Sequence, residues 1–147
     1  MKKIFNIAFM IAFASLAMIS CKKESLKYEG PVLAHFNGVE GSYFVDEAEE
    51  TFKIQLGITK PNDADVTLTI KVNTEESTAV EGEDFTLESN QIIIKAGEVV
   101  TDLIVKGSFE NLDEPKKVVF EIESSDKSAQ YDQAYTMTIQ RFCPFVR

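Results

Sequence analysis

The chain has 147 residues, and its 24 acidic side chains outnumber its 15 cationic ones, giving a formal net charge of −9. This acidity argues against nucleic acid as a partner, because phosphate backbones are bound by clustered Lys and Arg. One histidine and two cysteines are too few for a zinc centre or a disulfide framework. Eleven phenylalanines nevertheless offer enough apolar surface for one domain with a packed core.

The N-terminal segment is typical of a secretory signal. Lys2 and Lys3 precede an apolar run over residues 4–19, which is shorter than the roughly 20 residues of a membrane-spanning helix. Ser20 and Cys21 follow, and a cysteine directly after a small residue resembles the lipobox of bacterial lipoproteins. That resemblance implies that Cys21 is lipidated and becomes the first mature residue. A conventional signal peptide, cut elsewhere, is the alternative.

The expected organisation has four parts: a signal peptide (1–20), a flexible tether (21–30), a β-domain (31–142) and a C-terminal tail (143–147). Removal of residues 1–20 takes away two lysines and no acids, so the net charge moves from −9 to −11. If Cys21 carries lipid, Cys143 has no cysteine partner within the chain and is interpreted as a small apolar or linker residue. Pro144 after the last strand resembles the hinge before a second domain in longer surface lipoproteins, and an ordinary terminus is the alternative.

The apolar residues beyond Pro31 repeat with a period of two, which predicts strands with one buried and one wet face. Predicted strands cover residues 32–36, 43–45, 52–58, 66–72, 92–94, 99–105, 118–122 and 135–139. The turn at Ala96 and Gly97 predicts a hairpin between the strands at 92–94 and 99–105. In the strand at 118–122, Val119 is predicted to lie on the solvent-exposed face. About seven short strands and no amphipathic helix predict an all-β, antiparallel, immunoglobulin-like β-sandwich.

Three segments resemble the Calx-beta family over roughly residues 40–140. The first is the acidic strand end Phe44-Val45-Asp46-Glu47. The second is the turn Ala79-Val80-Glu81-Gly82-Glu83-Asp84-Phe85. The third combines Gly97-Glu98 with the acidic turn Glu110-Asn111-Leu112-Asp113-Glu114. The resemblance implies an immunoglobulin-like sandwich.

The resemblance also implies a calcium site at one end of the sandwich. The matching acids are Glu47, Asp84, Glu110, Asp113 and Glu114, and Ca²⁺ favours six to eight oxygen ligands. Affinity would be weak, about 10⁻⁴–10⁻³ M, as in other extracellular modules. Calcium-binding members also carry acids after the last strand, where this chain has the cation Arg141. The alternative is that these acids only solvate loop ends.

Catalysis and sugar binding have little support in the sequence. His35, the one histidine, lies in a predicted strand, where it is expected to be half-buried, and no glycine-flanked nucleophile accompanies it. No tryptophan is available as a sugar platform, which leaves Tyr43 and Tyr131, because Tyr135 falls on an inward phase. The chain is therefore not expected to be an enzyme.

The sequence thus predicts a non-catalytic, lipid-anchored module that serves as a spacer or as an adhesion or interaction domain. The segment Cys21-Lys22-Lys23-Glu24-Ser25, with an acid soon after the cysteine, partly resembles the display signal of Bacteroidetes-type surface lipoproteins. The expected location is the outer membrane, with the domain facing outward and contacting a protein or glycan partner. A calcium-binding or glycan-binding module of a nutrient-capture system is the alternative.

Overall fold

A computed structural model of the chain describes residues 28–47, 51–123 and 133–142. The predicted signal peptide, Cys21, most of the tether, Tyr131, Cys143 and the rest of the tail lie outside these ranges. No helix within them is long and apolar enough to cross a membrane.

Two β-sheets face each other across one core. In the described ranges, nine strands are β1 (Ala34–Phe36), β2 (Glu40–Val45), β3 (Thr51–Ile58), β4 (Val66–Val72), β5 (Phe85–Leu87), β6 (Gln91–Ile94), β7 (Val100–Gly107), β8 (Lys116–Ile122) and β9 (Ala134–Arg141). A four-stranded sheet has the order β1-β3-β7-β5, and a five-stranded sheet has the order β2-β9-β8-β4-β6. A 3-10 turn at Phe109–Asn111 follows β7.

The alternation in the sequence explains which side chains form the core. Leu56 of β3 and Leu103 of β7 point inward from the four-stranded sheet, and Leu68 of β4 points inward from the other, all three fully buried. The rings of Phe85 and Phe120 meet edge to face between the sheets, with centroids 5.8 Å apart. Burial of each such side chain contributes about 1.5–3 kcal/mol to the stability of the fold.

The predicted all-β sandwich is confirmed, with differences in detail. The strand β5 was not predicted, because its residues Phe85–Leu87 were assigned to the turn after Gly82. One strand pair is parallel: β2 runs alongside β9, with Glu40 opposite Thr136 and Val45 opposite Arg141. The chain leaves the four-stranded sheet after β1 and joins the five-stranded sheet at β2, where it runs in the same direction as β9.

The predicted hairpin around Ala96 and Gly97 is wrong, because the two strands belong to different sheets. β6 pairs with β4, and β7 pairs with β3 and β5. Hydrogen bonds tie the turn instead to the β3–β4 connection, from Gly97 N–H to the Asn62 carbonyl (2.9 Å) and from Ala96 N–H to Asp65 Oδ1 (2.8 Å). Gly97 accommodates the crossing with a φ of +81°.

Val119 was predicted on a wet face, but it is buried. The segment after β4 folds over it: Val119 N–H donates to Ser77 Oγ (2.9 Å), and Asn73 N–H donates to the Val119 carbonyl (2.9 Å). A loop therefore covers part of the outer face of the five-stranded sheet.

Candidate functional site

Strand register brings the acidic segments to one end of the sandwich. Phe85 pairs with Gly107 in one sheet, and Val45 pairs with Arg141 in the other. The turn before β5, the segment after β7, and the ends of β2 and β9 therefore meet there. A hydrogen bond from Ser108 N–H to the Asp84 carbonyl (2.8 Å) joins two of these segments directly. We call this region the acidic end.

Asp84 organises the turn before β5. Its carboxylate is almost fully buried, and Oδ2 accepts a hydrogen bond from Val80 N–H at 2.8 Å. The Asp84 N–H in turn donates to the Val80 carbonyl at 2.9 Å, so the two residues close the loop from both sides. Gly82 takes a φ of +88° within it, a conformation that a side chain would strain. Asp84 and Gly82 therefore both have structural roles in this turn.

Lys116 at the start of β8 supplies the counter-charge for Asp84. Its Nζ donates to Asp84 Oδ1 at 2.8 Å. This hydrogen bond raises the pKa of Lys116, although burial acts in the opposite direction, and the charges of Asp84, Glu114 and Glu83 raise it further. Both carboxylate oxygens of Asp84 therefore already have a donor.

Glu47 and Glu110 line a shared cleft of about 450 Å³ beside the turn. The exposed Glu83 also lines it, together with Lys106, Ser108 and Asn111. Asn111 Nδ2 donates to the Glu83 carbonyl at 2.6 Å, which fastens one wall of the cleft to the turn. The cleft is open to solvent, so it offers no enclosed binding chamber.

Asp113 and Glu114 line a separate, smaller pocket next to Arg141. Arg141 Nη2 donates to the Glu110 carbonyl at 3.0 Å and lies 3.3 Å from Asp113 Oδ1. The guanidinium also stacks over the Phe109 ring, 4.8 Å from its centroid. Arg141 therefore holds the whole segment after β7 against the end of β9.

The structure brings the five predicted acids to the same end but divides them among three settings. Asp84 is paired with Lys116, Glu47 and Glu110 share the cleft, and Asp113 and Glu114 line the small pocket, where Asp113 is paired with Arg141. No group of three or more His, Cys, Asp or Glu side chains in the described ranges is arranged to hold a metal. Because Ca²⁺ requires six to eight oxygens, the residues as placed do not fit a calcium ion.

The sequence interpretation missed Lys116, although a signal for it exists. Lys116 shares its strand phase with Val118 and Phe120, as Arg141 does with Ile139, so both cations start from inward-facing positions. A cation on the buried phase of a strand end indicates a paired carboxylate nearby. Arg141 was identified as a departure from the calcium-binding pattern, and its contacts to Glu110 and Asp113 explain that departure.

The aromatic and histidine predictions have mixed outcomes. Tyr43 was a candidate sugar contact, but this is wrong, because it is 3% exposed and stacks on Phe52 with centroids 5.2 Å apart. The inward position of Tyr135 is confirmed. His35 is half-buried in β1, as predicted, with Nδ1 3.1 Å from the Phe36 carbonyl oxygen.

No protein-family profile and no curated protein sequence matches the chain. Among solved structures, the apo-form Calx CBD1 domain is similar over 76% of this chain and 98% of its own length, with a TM-score of 0.59 and 14% identity. The calcium binding domain CBD12 of CALX1.1 is similar over 74% of this chain and 44% of its own, with a TM-score of 0.56 and 14% identity.

A candidate carbohydrate-binding protein from Bacteroides ovatus is similar over 74% of this chain, with a TM-score of 0.57 and 12% identity. The chain spans 36% of the length of that protein. At these identities the similarity establishes the fold alone. The chain therefore has the β-sandwich fold of the Calx domains, and its structural neighbours are binding domains or proteins of unknown function.

Proposed function

We propose that the chain is a non-catalytic, lipid-anchored β-sandwich module of a Bacteroidetes-type bacterium. It stands at the outer membrane, faces outward, and serves as a spacer or as an adhesion or interaction domain. The observation that carries the proposal is the placement of Cys21, directly after a cationic head, an apolar run and a small residue.

The physical requirements of an anchor are met by this arrangement. Two acyl chains give stable membrane attachment, whereas one chain gives marginal binding. A polar sequence separates Cys21 from Pro31, as expected of a tether between a lipid anchor and a folded domain.

The two cysteines provide a matched test of the anchor. In cells fed a palmitate analogue, we expect label in the wild type and in the Cys143→Ser variant, with both in the membrane fraction. The Cys21→Ser variant should lose both the label and the membrane association. Label that persists in Cys21→Ser, or disappears in Cys143→Ser, would contradict the proposal. Protease treatment of intact cells then reports whether the domain faces outward.

The edge strand β2 is the proposed contact for a protein partner. Thr136 N–H donates to the Val39 carbonyl and Phe142 N–H donates to the Val45 carbonyl, each within 2.9 Å. Since parallel pairing uses alternate residues, the backbone groups of Glu40, Ser42 and Phe44 point toward the open edge. An extended partner segment can add to such an edge.

A photo-crosslinking residue at Ser42 tests this contact. A matched probe at Asp102 lies on the exposed face of the other sheet and serves as the control. We expect a discrete adduct on intact cells from position 42 and none from position 102. Equal adducts at both positions would refute recognition through β2.

Calcium binding and glycan binding are the alternatives. The fold similarity to the calcium binding domain CBD12 of CALX1.1 supports the first, although the described acids as placed do not fit the ion. The similarity to the Bacteroides ovatus protein supports the second. A glycan array with the purified chain tests the second: binding to a defined polysaccharide would favour it, and silence would remove it.

A further inference from the structure

Two cations of the chain itself are directed into the acidic end. Lys116 and Arg141 each occupy the strand phase that is otherwise used by core residues. Their side chains are only 26% and 28% exposed, whereas the neighbouring Lys117 is exposed to solvent. Long cationic side chains normally extend into solvent, so partly buried cations are expected to be paired with acceptor groups.

Lys116 neutralises the most deeply buried acid of this region. The Asp84 side chain is 2% exposed, and a carboxylate in that environment requires an opposite charge and hydrogen-bond donors. The Lys116 ammonium and the Val80 N–H, both at 2.8 Å, supply them. Each carboxylate oxygen of Asp84 therefore has a donor from this chain as its partner.

Arg141 lies on the other side of the acidic end, where its partner Asp113 is 91% exposed, so this ion pair contributes less than the pair of Lys116 with Asp84. Its guanidinium contacts three groups of the segment after β7: the Phe109 ring, the Glu110 carbonyl and the Asp113 carboxylate. A backbone carbonyl and an acidic side chain in one turn are the donor types that a hard cation would use. Here an organic cation occupies them.

A calcium ion at Asp84 Oδ1 or Asp113 Oδ1 would compete with the Lys116 ammonium or the Arg141 guanidinium already there. It would also have to lose part of its hydration shell and collect six to eight oxygens, which the described residues as placed do not offer. We infer that Lys116 and Arg141 are resident counter-cations of the acidic end, which give the domain its full stability without metal.

Thermal unfolding of the purified chain tests this inference, with Lys117→Met as the matched control for Lys116→Met. In wild-type protein, the Tm in about 5 mM CaCl2, above the affinity range of extracellular modules, should equal the Tm in EDTA. Lys116→Met should lower the Tm by roughly 5 °C or more in both buffers, because a buried carboxylate loses its counter-charge. Lys117→Met should leave it unchanged.

Two outcomes would overturn the inference: a saturable rise of the wild-type Tm with CaCl2, or equal Tm values for Lys116→Met and Lys117→Met. If Lys116→Met fails to fold, the double variant Asp84→Asn with Lys116→Met decides, because it removes the uncompensated charge. Its recovery supports the pairing, and its failure to recover contradicts it. None of these variants alters Cys21, so the result is independent of the proposed anchor.

Discussion

Asp84 shows at the residue scale how an acid that resembles a metal ligand can serve the fold. The residue is buried, it accepts a hydrogen bond from Val80 N–H, and it carries the charge that Lys116 neutralises. Its neighbour Glu83 is exposed, and only the backbone carbonyl of Glu83 bonds Asn111. We therefore expect replacement of Asp84 to destabilise the protein and replacement of Glu83 to have little effect on its stability.

We predict that Asp84→Ala lowers the free energy of unfolding by about 2–3 kcal/mol, because Val80 N–H and the Lys116 ammonium lose their acceptor. The control Glu83→Ala should change it by less than about 0.5 kcal/mol, as expected for an exposed side chain. Urea unfolding followed by circular dichroism measures both. Equal losses in the two variants would contradict a structural role specific to Asp84.

We also predict that stability falls as the pH rises above about 10, near the ordinary pKa values of Tyr and Lys. Burial, and then the charge of Glu40, raise the pKa of Tyr135, while the hydrogen bond to Asp84 raises that of Lys116. Both groups hold their proton more tightly in the folded state, so alkali favours unfolding.

The check is the Tm measured from pH 8 to pH 11, flanking the range in which these groups titrate. Tyr135→Phe removes one of the two titrating groups, so its Tm should fall less steeply at the alkaline end than that of the wild type. A slope identical to that of the wild type would show that Tyr135 does not contribute.

At the scale of elements, alternation predicted where the main strands lie but not which strands pair. The alternation of apolar and polar residues in β6 and β7 is the same whether they form a hairpin or lie on opposite sides of the core. Here Ile94 and Leu103 enter the core from different sheets. The deciding contacts, from the Gly97 turn to Asn62 and Asp65, join residues more than 30 positions apart.

The candidate site was only partly predictable, because strand alternation does not show which side chains meet across the core. The acidic positions and the cationic character of Arg141 were visible in the sequence. The partition of the acids was not, because pairing of Asp84 with Lys116 depends on how the two sheets stack. Strand phase alone places Lys116 inward without specifying which of several acids it meets.

Close packing between the sheets gives a test at this scale. A Cβ added at Gly107 in β7 would overlap Val45 Cγ2 in β2, on the opposite sheet. Gly107→Ala should therefore destabilise the protein by about 1–3 kcal/mol, the usual cost of overpacking. Adding Val45→Ala should restore part of the loss in urea unfolding, because it frees the space. Strictly additive losses would contradict the contact.

At the scale of the whole molecule, the chain combines a β-sandwich domain with a candidate membrane anchor. Two acids of the acidic end are paired with Lys116 and Arg141, and the two clefts beside the β5 segment are open to solvent. What distinguishes the molecule is therefore the N-terminal Cys21, which would present this sandwich at a surface.

The most direct test of this account is mass spectrometry of the N-terminal peptide of the chain purified from cell membranes. We predict a mature protein that begins at Cys21 and carries acyl chains on that residue. A chain that begins at another residue, or an unmodified Cys21, would contradict the account.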